Sequence, residues 1–250
     1  STEKTEETEK PEGTETTEET ETKATDVSKV ILITDSEYQV VSIDQSIPLP
    51  DYVFYPNSDT DKTAVEWTVD DLNVAEVATT TDANGKVSGT VKAKAAGVAV
   101  VKLQVVGKTE VNAAFRLIVR PTNEPKNCKA DATYNSVSLS WSPVADANGY
   151  TITRKVEGSD TEQTIAHVDG TDTVSYKDTA AQTGISYIYH VYAYTKYTNN
   201  GQTDYANTDA YASVKATPQL GKAAMTSVTA EGYSSLTLKW EKVDGATGYI

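Results

Sequence analysis

At 250 residues with a net charge of -14 and a pI near 4.6, the chain is long enough for one large domain or two small ones with separate cores. Its charge repels a nucleic-acid backbone or an anionic membrane surface. A single cysteine, Cys128, excludes an intrachain disulfide, and the longest apolar run, residues 95–101, falls far short of the ~20 residues needed to span a bilayer.

The chain begins at Ser1 with neither an initiator Met nor a charged-then-apolar leader, so any signal peptide is expected upstream or already removed. Residues 1–25 hold almost nothing but Thr, Glu and Lys. With no Val, Ile, Leu or aromatic side chain to bury, such a stretch cannot offset its conformational entropy and is expected to be disordered. It reads equally as a charged spacer and as a solubilising tail.

From Asp26 the composition turns to β-branched residues with period two. Seven strands are predicted to Val119: VSKVILI, SIPLPDYVFYP, TAVEWTV, VAEVATT, GKVSGTVKAKA, GVAVVKLQVV and AAFRLIV. Short strands separated by Gly, Asn, Asp and Pro signals indicate a β-sandwich over residues 26–120. Asn84-Gly85 is expected to form a two-residue hairpin turn with both residues at positive φ. A run made of Val65-Glu66-Trp67, Val74-Ala75-Glu76-Val77, Gly85-Lys86-Val87 and Lys94 to Val101 resembles the group 2 bacterial immunoglobulin-like domain. The inserted Ser88 to Val91 departs from that pattern and bears on the strand register there. The resemblance implies a module of cell-surface adhesins and cell-wall proteins.

Arg120-Pro121 opens a linker, RPTNEPKN, whose prolines stop a strand from crossing the boundary. Beyond it the pattern SVSLSWSPVADANGY (residues 136–150) recurs as SLTLKWEKVDGATGY (residues 235–249). Each copy alternates apolar residues into a Trp, then makes a polar turn and opens the next strand with Gly-Tyr, the mark of a tandem array. The remaining strands of the first copy are CKADAT, YTITRKV, EQTIAHV, TVSYKDT, ISYIYHVYAYTKY and YANTDAYASVKA, with Asn200-Gly201 as a hairpin between the last two.

Residues 121–218 resemble a fibronectin type III domain. The family's buried Trp is matched by Trp141, its strand C Tyr by Tyr150, and its strand F by Tyr187, Tyr189, Val191 and Ala193. Tyr187 stands at the tyrosine corner, where the resemblance implies a hydroxyl bonded to backbone a few residues upstream. Residues 219–250 resemble the N-terminal part of a second such domain, with Trp240 as its core Trp. Lacking the strands that would cover Leu236, Leu238 and Trp240, this segment is expected to be unfolded, with SLTLKW exposed. The fold class is therefore all-β: two immunoglobulin-like/fibronectin type III-like sandwiches in tandem, a disordered N-terminal tail and a truncated third sandwich.

Chemistry is sparse. His167 and His190 have no nucleophile motif nearby and are expected to be ordinary surface histidines. No catalytic, phosphate-loop or Cys-His metal spacing occurs, so neither enzyme activity nor a cofactor is expected. Asp59 with Asp61, Asp70 with Asp71, and Asp169 with Asp172 invite calcium, which needs six to eight converging oxygens. Pairs on turns are better read as loop caps. Cys128 receives no role.

The fifteen tyrosines against two phenylalanines are more telling, since the hydroxyl lets a ring sit at a wet surface. With Tyr187, Tyr189, Val191 and Ala193 facing the core, Ile188, His190, Tyr192 and Tyr194 face outward, and Tyr197 and Tyr205 flank the next hairpin. This set is a candidate binding platform for carbohydrate or protein. Cross-strand ring pairing or cover for a neighbouring domain explains it equally. The expectation is a secreted, bacterial cell-surface chain of spacer and adhesion modules. The alternative is a set of accessory modules of a large secreted hydrolase acting on polysaccharide or cell wall.

Overall fold

The computed structural model describes residues 27–56 and 63–250. The expected tail over residues 1–25 and the Asp59/Asp61 pair lie outside the described residues. All regular structure among the described residues is β, and no helix there is long and apolar enough to cross a membrane.

The first sandwich comprises β1 (Lys29–Ile33), β2 (Tyr38–Ser42), β3 (Ser46–Pro48), β4 (Asp51–Tyr55), β5 (Val65–Val69), β6 (Ala75–Thr81), β7 (Val87–Ala93), β8 (Gly97–Val105) and β9 (Lys108–Arg120). One layer is β2-β9-β8-β5 and the facing one β3-β7-β6, with β1-β4 as a separate pair. Their inward residues, among them Val91, Val101, Leu103, Phe115 and Leu117, enclose Trp67, which packs edge-on against Phe115 at 6.5 Å. Sequence reasoning counted seven strands. It missed β2, which pairs parallel with β9, and it read β3 and β4 as one strand because Leu49-Pro50 was not recognised as a break. The register around Ser88 to Val91 is continuous, from Ala75 opposite Ala93 to Thr81 opposite Val87.

The Asn84-Gly85 turn is a correction. Only Gly85 has positive φ, and Asp82 Oδ1 accepts the amides of Asn84 and Lys86 at 2.9 Å each. The Asp side chain organises a longer loop with glycine at its end, whereas Asn200 and Gly201 both take positive φ, 48° and 77°.

The second sandwich comprises β10 (Lys129–Ala132), β11 (Val137–Ser140), β12 (Gly149–Val156), β13 (Gln163–Asp169), β14 (Ser175–Asp178), β15 (Tyr187–Asn199), β16 (Gln202–Asn207) and β17 (Ala212–Ala216). One sheet is β10-β11-β14. The other runs β13-β12-β15, and β16 and β17 pair successively with the two halves of β15. This is the immunoglobulin-like/fibronectin type III-like arrangement. Trp141, Tyr150 and Tyr187 are buried in its core with Tyr189, Val191 and Ala193. Gln182 N–H donates to the Tyr187 hydroxyl at 3.3 Å.

One buried carboxylate in this core is held by two donors. Asp178, 3% exposed, accepts from Arg154 at 2.7 Å and from the Tyr189 hydroxyl at 2.8 Å. The guanidinium lies 4.8 Å from the Tyr187 ring centroid. A charge this deep persists because it is paired and hydrogen-bonded.

Residues 219–250 form an antiparallel hairpin of β18 (Met225–Ala230) and β19 (Leu236–Trp240), so the expectation of an unfolded segment is corrected to a paired one. Backbone pairing is local to the two strands and does not wait for a facing sheet. Leu236, Leu238 and Trp240 are exposed, and Trp240, assigned above to a core, has none.

The two sandwiches meet along a defined seam. Ile118, Tyr197 and Ala206 form a small buried cluster with Tyr38 packed against it, the two tyrosine rings 5.6 Å apart. Thr195 Oγ1 donates to Val119 O at 2.7 Å. Arg120 Nε donates to Ser42 Oγ at 3.1 Å, while its terminal nitrogens reach Asn207 O and Asp209. Arg116 donates across the seam to Thr198 O.

Candidate functional site

The outer face of the β13-β12-β15-β16/β17 sheet brings together His167, His190, Tyr192, Tyr194, Tyr205 and Tyr211. Register fixes the rows: Tyr192 lies opposite Thr151 and Thr151 opposite His167, while His190 lies opposite Thr153. Tyr211, the residue just before β17, lies beside Tyr192 and His190.

Two ring clusters result. In the first, the His167 imidazole stacks on Tyr205, centroids 3.8 Å apart and planes within 4°, and Tyr194 meets both edge-on. The Tyr194 hydroxyl donates to Asp169 Oδ1 at 2.6 Å. Burial, reinforced by that carboxylate, pushes the phenol well above its ordinary pKa. Asp169 also accepts from Lys196 Nζ at 2.8 Å, and Lys196 and Tyr194 hold its carboxyl below the usual range. Thr151 spends its proton on Asn207 Oδ1 at 2.7 Å, so His167 Nδ1, 3.0 Å from the same hydroxyl, carries the hydrogen and donates it. Burial lowers the His167 pKa.

In the second cluster, His190 packs against Tyr211 at 4.2 Å and Tyr192 at 6.4 Å. His190 Nδ1 lies 2.8 Å from Glu162 Oε1, which also accepts from Thr153. Tyr192 and Tyr211 are 5.0 Å apart.

These contacts revise the expected exposed stripe. Ile188, His190, Tyr192 and Tyr194 do point away from the core, but Tyr194 is wholly buried and His190 is 7% exposed. The reason is cross-strand cover: Tyr205, His167 and Tyr211 lie over them. His190 is therefore not a surface histidine, while His167 is exposed yet stacked rather than free. Tyr197 is 9% exposed and belongs to the inter-sandwich seam. Ile188, Tyr192 and Tyr205 remain half-buried. Sequence reasoning missed Tyr211, 44% exposed. The alternation Tyr211, Ser213, Lys215 carries the signal, hidden because YANTDAYASVKA was read as one strand.

Crowding requires the glycine of the first Gly-Tyr pair, whereas Gly248 in the second copy faces open space. A Cβ on Gly149 would lie 2.5 Å from the Tyr194 hydroxyl, so the tyrosine ring fills the space of the missing side chain.

Among the described residues, Asp70, Asp71 and Asp169 of the acidic pairs each accept hydrogen bonds. Asp70 accepts the Val100 amide at 2.7 Å and Asp71 the Asn73 amide at 2.9 Å. Asp169 is held by Tyr194 and Lys196. The Cys128 thiol is half-buried and its pKa is raised by burial, the direction that lowers thiolate content and reactivity.

No family model matches the chain, and no curated protein matches it. Among solved structures it is similar to an Fn3-like protein from Clostridium thermocellum, 29% identical over 40% of this chain and 98% of that one, with a TM-score of 0.28. It is also similar to a crystal structure of titin domains, at 15% identity, 72% and 63% coverage and a TM-score of 0.34. A redesigned β-sandwich protein matches at 18% identity, 39% and 95% coverage and a TM-score of 0.30.

Proposed function

We propose that this chain is a run of non-catalytic modules from a secreted, bacterial cell-surface protein. In this reading a group 2 bacterial immunoglobulin-like domain (residues 26–120) is followed by a fibronectin type III domain (121–218) and the start of another (219–250). The modules act as a stiff spacer that carries an adhesive face. The observation that carries this reading is the seam between the sandwiches. Buried Ile118 and Tyr197, the Thr195–Val119 hydrogen bond and the Arg120 bridge restrain the joint, as a spacer requires and a loose linker would not.

The adhesive face is the half-exposed aromatic set Tyr192, Tyr205 and Tyr211 with His167. Rings with polar edges suit a neutral carbohydrate or a protein surface. An acidic chain of this charge disfavours anionic partners.

Two measurements test the reading. Protease treatment of intact source cells should release peptides of this chain, and release only after lysis would overturn a surface location. Binding of the purified chain to isolated cell wall or to immobilised glycans should be saturable. Absence of binding to every glycan, wall and surface-protein preparation would remove the adhesive role and leave the spacer.

A further inference from the structure

The contact between the second sandwich and the hairpin after it uses a residue pair that the internal repeat reproduces only in part. Tyr134 sits in the turn between β10 and β11, and its ring lies against Gly245, in the turn that follows Trp240. A Cβ on Gly245 would fall 2.3 Å from Tyr134 Cδ2 and 2.6 Å from Cε2. The linker is held at the same end: Gln219 N–H donates to Thr133 O at 3.2 Å, Gly184 N–H donates to Pro218 O at 2.8 Å, and Thr183 donates to Tyr134 O. A groove of about 560 Å3 runs along the seam, lined by Tyr134, Lys177 and Val243 among others.

In the first copy of the repeat the position of Gly245 is occupied by Asp146. Both residues take the left-handed conformation, φ 61° for Asp146 and 76° for Gly245. The turn itself therefore accepts a side chain, and the glycine is required by the ring above it. Asp146 is exposed, and the first sandwich approaches the second through β9, β15 and β16 instead. A residue with a side chain is tolerated where no tyrosine docks.

The position of Tyr134 is occupied in the second copy by Tyr233, likewise seven residues before its Trp. Tyr233 is fully exposed. Resting on the tandem reading above, we propose that Tyr233 is a docking residue for a further sandwich of the same kind, one whose turn after the Trp strand presents glycine at the position of Gly245. Tyrosine on the leading module and glycine on the following one form a matched pair that sets the angle between successive modules. The pair excludes followers with a side chain at that position.

Hydroxyl-radical footprinting reads this directly, because tyrosine oxidation tracks ring exposure. In the present chain Tyr134 is protected and Tyr233 is not, and Gly245→Asp uncovers Tyr134 several-fold, whereas Asp146→Gly leaves it unchanged. In a chain whose residues 151–250 are repeated after Tyr249, Tyr233 gains the protection of Tyr134. Gly→Asp at the glycine of the appended turn removes that protection. Tyr233 oxidised as fast as before, with Tyr134 protected in the same sample, overturns the proposal. Should Tyr134 lose its protection in the extended chain, the same footprint is taken on the full-length natural polypeptide, and an exposed Tyr233 there overturns it as well. Neither failure bears on the seam between the first two sandwiches, so the spacer reading is tested separately.

Discussion

The Tyr150 hydroxyl accepts the Val144 amide at 2.8 Å, closing the turn between β11 and β12, and Tyr249 accepts the Val243 amide at 2.7 Å in the same way. In the second sandwich the hydroxyl also donates to Thr171 O at 2.8 Å. The tyrosine thus fastens its own turn and the β13–β14 connection. Tyr150→Phe leaves a buried amide and a carbonyl without partners, a loss of about 1–3 kcal/mol. Urea denaturation of the second sandwich reads the loss. A midpoint equal to the parent would show that the hydroxyl is dispensable.

Trp67 and Trp141 lie in separate core clusters. Each Trp→Ala change should cost about 3–5 kcal/mol through the cavity it leaves, against a typical domain stability of about 5–15 kcal/mol. Calorimetry should show one transition lowered and the other kept near its parent position. Loss of both from one substitution contradicts separate cores.

His167, partly desolvated under the stacked Tyr205 ring, is expected to make the second sandwich pH-sensitive. That partial desolvation holds its folded-state pKa below the ordinary 6.5, with Asp169 opposing part of the shift. Between those two values the unfolded chain binds the extra proton. The contribution of His167 is complete above the unfolded value and declines as pH falls towards the folded one. Between about pH 5 and 7, the melting temperature of the parent should therefore fall more steeply on acidification than that of His167→Gln. Parallel curves would remove the claim.

On the aromatic face, burial separates structural rings from available ones. Tyr192→Ser with Tyr211→Ser should leave the fold intact and weaken binding to the wall or glycan that the parent recognises. Tyr194→Ser should instead destabilise the sandwich, since it empties the space over Gly149 and strands a buried hydroxyl network. Undiminished binding by the folded double variant removes the platform.

Period-two alternation made the sandwiches legible because each strand has one buried face. Trp67, Trp141, Tyr150 and Tyr187 were readable as core residues for the same reason. Burial of the outer face was not, because alternation reports which way a side chain points and not what lies over it. Tyr194 is covered by Tyr205, from the next strand across the Asn200-Gly201 hairpin, and by His167, from β13 on the far side of β12. Tyr211 was lost when one segment proved to be two strands meeting different halves of β15. β2 escaped because Tyr38–Ser42 pairs parallel with β9, a partner far along the chain. The Asn84-Gly85 turn was misassigned because the Asp82 carboxylate, not the dipeptide, sets its length.

The central claim is that the two sandwiches form one stiff unit through the Ile118, Tyr197, Thr195 and Arg120 contacts. Residual dipolar couplings measured on backbone amides of β5, β8 and β9 and of β12 and β15 in the same aligned sample test it most directly. The account predicts a single alignment tensor that fits both sets, and a split into two tensors when Thr195→Val and Arg120→Ala are combined. Two tensors of different magnitude in the parent chain would contradict it.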